Sequence, residues 1–114
     1  MMKRRGGGEH KENVMEWTTD EDKTCCKACI DEYVIQKYNT KIGNFIYWIK
    51  QNPCMKSKGE GTIRCKIQNI KSLLDRWNVR NTIPIAGRGN ASKQNIQQLK
   101  LCLEEAGIEY LCNE

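Results

Sequence analysis

Ile63, Ile67, Ile70, Leu74 and Trp77 follow one another at intervals of four, three, four and three residues. That spacing returns each side chain to the same side of an α-helix, so residues 62–77 are predicted to form an amphipathic helix capped by Thr62. Burying five such side chains contributes about 1.5–3 kcal/mol each before the entropy of ordering them. This helix therefore anchors whatever packs around it. The repeat lasts two heptads, too short for a coiled coil.

Three further helices can be read around it. Thr18-Thr19-Asp20-Glu21 has the form of a capping box, and three acids in the first turn suit the helix dipole. Beyond it Cys25, Cys26, Cys29, Ile30, Tyr33 and Val34 share one face, to about Lys37. A second helix spans about Lys41 to Gln51, with Ile42, Phe45, Ile46 and Ile49 as its buried stripe, and Asn52-Pro53 ends it. After a connector from Pro53 to Gly61 and the central helix, residues 78–91 are irregular. Within them Thr82–Ile85 is extended, and Pro84 limits it to an edge strand. Ser92 caps a fourth helix striped by Ile96, Leu99, Leu103 and Ala106, which Gly107-Ile108 closes in a Schellman pattern. A brief pairing of Ile108–Cys112 with Thr82–Ile85 is within reach. The fold class expected is all-α, one domain over residues 16–114, preceded by a disordered basic tail at 1–15 that contains Arg4, Arg5 and three glycines in a row.

With 114 residues, 39% hydrophobic and a mean hydropathy of −0.73, the chain has room for one economical core. No apolar run nears the roughly 18 residues that a bilayer demands, and the start has no apolar segment behind its basic residues, so neither a membrane span nor a secretory signal is expected. Seven cysteines, an odd number lying mostly on helical apolar faces, fit a reducing intracellular setting, cytoplasm or nucleoid or nucleus, better than a disulfide framework.

The net charge of +5 is unevenly spread. Residues 37–100 hold thirteen bases against Glu60 and Asp75 alone, while residues 13–36 and 101–114 are both acidic. Opposite the isoleucine stripe, about 180° around the helix, lie Arg64, Cys65, Gln68, Asn69, Lys71, Ser72, Asp75 and Arg76, with Lys66 on the flank. A face of bases and amides in a basic segment points to a polyanion.

Little else offers chemistry. The sole histidine, His10, falls in the tail, so a nucleophile has no well-placed base, and no phosphate loop or dinucleotide fingerprint occurs. The expectation is a protein that is no enzyme and needs no cofactor. Cys26-Lys27-Ala28-Cys29 has zinc-ligand spacing and Cys25 adds a thiol, but the other four cysteines are scattered singly and the motif falls inside a periodic helix. Core packing is the reading preferred, with zinc its competitor. Gly87-Arg88-Gly89, ahead of the Ser92 helix, has the form of a phosphate-holding turn or of plain turn geometry.

Trp17-Thr18-Thr19-Asp20-Glu21-Asp22 resembles the opening of Myb/SANT repeats, and Thr62-Ile63-Arg64-Cys65-Lys66-Ile67-Gln68-Asn69-Ile70 is similar to their third helix. The likeness spans residues 17–77. It departs from the family in lacking the regular tryptophan triad, in its long connector, and in its extra fourth helix. It implies a helix-turn-helix-like bundle that binds duplex DNA, a regulatory or accessory factor in transcription. The third helix would enter the major groove, with Arg64, Gln68, Asn69 and Lys71 at base edges. Lys56, Lys58, Lys66, Arg76, Arg88 and Lys93 would sit at phosphates, and the acidic face of the first helix would point away. A homodimer is compatible with this. The rival is a protein-interaction module, an adaptor or inhibitor, whose basic face docks on an acidic partner.

Overall fold

A computed structural model of the protein describes residues 16–114; the expected tail at 1–15, with His10, lies outside them. Within the described residues the chain is all-helical and has no strand. The helices are α1 (Thr19–Ile30), α2 (Ile42–Lys50), α3 (Glu60–Arg76) and α4 (Lys93–Glu105). None of them is long and apolar enough to cross a membrane.

Thr18 caps α1 through the reciprocal capping box, its hydroxyl accepting from the Glu21 amide while the Glu21 carboxylate accepts from the Thr18 amide. The helix runs on as a π-helical turn, Asp31–Gln36, ending at Lys37 in the left-handed region (φ 58°). Thr40 locks this turn: its carbonyl accepts from the Tyr33 hydroxyl at 2.7 Å, and its own hydroxyl donates to Glu32. Cys25, Cys26, Cys29, Ile30 and Tyr33 are all buried, as their spacing predicts.

α1 and α4 form the most extensively packed pair of separate helices, and the small thiols of α1 let them approach closely. Ser92 caps α4 by accepting from the Asn95 amide. Its inner face consists of Asn95, Gln98, Leu99, Cys102 and Leu103, so Ile96 is only half-buried and Ala106 exposed. Asn95 turns inward because α1 offers its amide a polar partner in Asp22. Gly107 takes φ 72° and the Ile108 amide bonds the Leu103 carbonyl at 2.9 Å, which completes the expected Schellman ending.

The central helix keeps its stripe. Ile63, Ile67, Ile70, Leu74 and Trp77 are at most 1% exposed, and Leu73 joins them. Its start differs from expectation. Gly59, not Thr62, is the N-cap, and the Ile63 amide bonds the Gly59 carbonyl at 3.0 Å. Glu60 and Gly61 thus extend the helix backward, with Glu60 placed to complement the dipole. Part of the connector is itself a 3-10 turn, Pro53–Met55, which buries Met55. At the other end Asn78 adopts φ 61° and the Val79 amide reaches the Leu74 carbonyl at 2.8 Å, a second Schellman ending that turns the chain back sharply.

The expected strand pairing does not form. The Thr82 amide bonds the Tyr33 carbonyl at 2.8 Å, one that the widened end of α1 leaves free. The Leu111 amide bonds the Trp77 carbonyl at 2.9 Å. Each segment finds its backbone partner at a helix end instead of in the other.

The thiols of the Cys26–Cys29 motif pack in the core. Cys25, Cys26 and Cys29 have no exposed surface, and burial pushes all three thiols up, Cys25 to about 12. Among the described residues no three His, Cys, Asp or Glu side chains converge to hold a metal ion. A neutral aromatic disulfide reagent is therefore expected to label Cys54 and Cys65, both exposed, rapidly in the native protein, and Cys25, Cys26 and Cys29 only after unfolding. Fast labelling of the three α1 thiols by the folded chain would contradict this packing.

Candidate nucleic-acid interface

The acids of the first turn do not form an outward face. Asp20 is exposed, but Asp22 is fully buried and Glu21 is 7% exposed. Asp22 Oδ1 lies 3.1 Å from Lys66 Nζ and accepts from Asn95 Nδ2 at 3.0 Å, while Oδ2 accepts from Gln94 Nε2 at 2.7 Å. Glu21 lies 3.3 Å from Lys58 Nζ. Both ammonium groups also sit over the Trp17 ring, at 4.6 Å for Lys66 and 5.3 Å for Lys58, and Lys58 donates to the Glu16 carbonyl.

Lys58 and Lys66, expected at phosphates, are thus committed inside the protein. A lysine this buried has its charge balanced by a carboxylate and an indole within the fold, which leaves it poorly placed to meet a phosphate. The signal was present in the sequence. On a helical wheel Lys66 lies only about 60° from Ile63, beside Leu73, so an inward-facing Leu73 carries Lys66 in with it.

The segment after α3 shapes what remains of its outer face. The Arg88 amide donates to the Gln68 carbonyl at 3.2 Å. At Gly87 a Cβ would lie 2.8 Å from the Ser72 nitrogen, so only glycine permits the loop to rest on the helix backbone here. Gly89, at φ 83°, sits against the Asn69 amide, where a Cβ would be 2.6 Å from Oδ1. The glycine-flanked arginine is therefore a docking turn across the middle of α3, and its backbone amide is already bonded.

That turn divides the ten expected contact residues. Arg64 is exposed, and Gln68 is half-buried beneath the Arg88 backbone. Asn69 is half-buried against Gly89. Lys71 is drawn sideways, 3.2 Å from Asp75 Oδ1 and 3.0 Å from Asn81 Oδ1. Arg76 lies 3.6 Å from Glu114, which also accepts from the Trp77 indole. Lys56, Arg88 and Lys93 are exposed. Arg64, Arg88, Lys56 and Lys93 form no ion pair among the described residues, leaving these four positive charges uncompensated there. A groove of about 480 Å³ opens between the start of α1, α3 and the N-terminus of α4, with Trp17, Cys65, Asn69 and Gln94 in its walls.

No protein-family model, curated protein or solved structure matches the chain.

Lys66→Ala strands Asp22 in the interior and is expected to cost about 3–5 kcal/mol of stability, against a change within about 0.5 kcal/mol for Arg64→Ala, both read by urea unfolding. Glu21 gives a second prediction. Burial alone would raise its carboxyl, but the hydrogen bonds from Thr18 and the nearby Lys58 ammonium outweigh it and hold the group below its ordinary 4.5. A folded value lower than the unfolded one adds stability above the unfolded value, which is lost as pH falls through the folded value. Glu21→Gln is therefore expected to flatten the loss of stability below about pH 4.5 relative to the native chain.

Proposed function

We propose that this is a non-enzymatic, helix-turn-helix-like DNA-binding protein of the Myb/SANT kind, an intracellular regulatory or accessory factor that meets duplex DNA with the N-terminal half of α3. The observation that carries this reading is the free guanidinium of Arg64 on the open part of α3, with Arg88 held beside Gln68 by its backbone bond. Recognition helices address base edges with their N-terminal residues, the half of α3 that the loop leaves uncovered. Arg64 suits guanine O6 and N7, and the Gln68 amide suits adenine N6 and N7. Arg88, Lys93 and Lys56 would hold phosphates around them and set the register. Asn69 and Lys71, engaged by the loop and by Asp75, take a smaller part than their place on the helix suggests.

The binding surface is narrower than the sequence implies, so the affinity should depend less steeply on salt. With four phosphates neutralised, log K is expected to fall against log salt with a slope of about −3 to −4 in fluorescence anisotropy with a mixed duplex pool. Arg64→Ala should weaken binding to a selected site by roughly tenfold and relax its sequence preference, whereas Arg88→Ala should weaken all duplexes alike. Absence of duplex binding at low salt would overturn the proposal in favour of a module that docks on an acidic protein.

A further inference from the structure

α2 presents a second unusual surface. Phe45, Ile46 and Ile49 face the core, while Tyr47 and Trp48 point outward with 63% and 60% of their surface exposed. Tyr38, 70% exposed, precedes the helix in its connector. Burial of such side chains elsewhere contributes about 1.5–3 kcal/mol each, so three large aromatics left in water invite a partner.

The chemistry around them narrows the choice. From Tyr33 to Gly59 the chain carries no Asp or Glu. Of the five lysines in that stretch, Lys58 pairs with Glu21 and Lys50 donates to the carbonyls of Lys56 and Lys58. Lys41, at the start of α2, is exposed and forms no ion pair among the described residues, whereas Lys37 lines a separate groove with Asp75. Asp31, which lines the groove of about 420 Å³ beside Trp48, is taken by Lys27 at 3.3 Å. Gly43 stands one turn before Tyr47 with open space about it, so no side chain from that position covers the phenol ring. Trp48 is braced on one side by Phe45, ring centres 6.2 Å apart. The exposed Asn44 and Gln51 give the same face amides rather than aliphatic side chains.

Flat, open π-faces in a field of positive charge match a polyanion whose own flat faces are free. A duplex hides its base faces in the stack, and a helix that lies in a membrane surface needs a broad apolar face, whereas the outward side of α2 carries Asn44, Gln51 and the bare Gly43 beside its aromatics. An unpaired strand offers both phosphates and open bases. We infer that the outward face of α2 binds single-stranded nucleic acid, stacking bases on Trp48 and Tyr47 while Lys41, two turns before Trp48 on the same side of the helix, holds the backbone.

The test is titration of the full chain with a thymidine oligonucleotide at low salt, read by tryptophan fluorescence and by anisotropy of the labelled strand. Saturable quenching that Trp48→Ala abolishes is expected, since Trp48 is open, Trp77 is buried and the half-buried Trp17 lies in the separate groove beside α3. Trp48→Ala and Tyr47→Ala should each weaken strand binding about tenfold while leaving the melting temperature and duplex binding unchanged. Strand binding that persists undiminished in Trp48→Ala and Tyr47→Ala overturns the inference, as does absence of quenching. So does sedimentation as a dimer that Trp48→Ala dissociates, which would assign the face to a second copy, or binding to anionic vesicles in place of the strand. The α3 surface is tested separately by Arg64→Ala on duplex, so either surface can fail while the other stands.

Discussion

A buried carboxylate holds the bundle in register. Asp22 on α1 is joined at once to Lys66 on α3 and to Asn95 and Gln94 on α4. Apolar stripes tolerate some sliding and rotation of one helix on another. A charge with no exposed surface does not, because moving any partner by an ångström or two leaves it uncompensated in a low-dielectric interior. The indole of Trp17, under the two lysines, extends the same arrangement to the chain just ahead of α1. The isoleucines supply most of the favourable burial, and Asp22 fixes how the helices that carry them are set.

This arrangement changes the meaning of the charge pattern. The acidic segments at either end of the basic stretch read as free faces of a dipolar molecule, yet much of their charge is consumed within the fold. Glu21 and Asp22 meet lysines inside, Glu114 meets the Trp77 indole and Arg76, and Glu104 accepts from the Tyr110 hydroxyl. What remains outside on α3, the loop after it and the start of α4 is, apart from Glu60 in the first turn of α3, net positive, and it is concentrated in fewer residues than a count of bases suggests.

Elements set by local chemistry were legible in the sequence. The Thr18 capping box, the stripe from Ile63 to Trp77, the Ser92 cap and the Gly107 ending each depend on residues within one or two turns of one another, and each stands in the structure. Features decided by partners far along the chain were not. The helical wheel turns Lys66 inward, but its partner, Asp22, lies forty-four residues before it and cannot be read from the wheel, and Gly87 has to be glycine because of Ser72 on another element. Thr82 was read as strand because its neighbours are extended, but its amide was claimed by the free carbonyl of Tyr33. For the candidate interface the outcome is similar: the helix was identified, Arg64 stays open on it, and the part covered by the loop was invisible without tertiary contacts.

The thiols of α1 carry a consequence for the life of the chain outside its native state. While folded, Cys25, Cys26 and Cys29 are sealed by packing and kept neutral. Once the helices separate, the buried thiols regain ordinary acidity and all seven meet one another freely, so that dissolved oxygen, taking up two electrons and two protons for each pair, joins them in disulfides that the separate native thiols do not form. In air, denaturation then becomes a one-way passage, with apparent heat resistance governed by scan rate and by the reductant present rather than by the equilibrium between folded and unfolded forms.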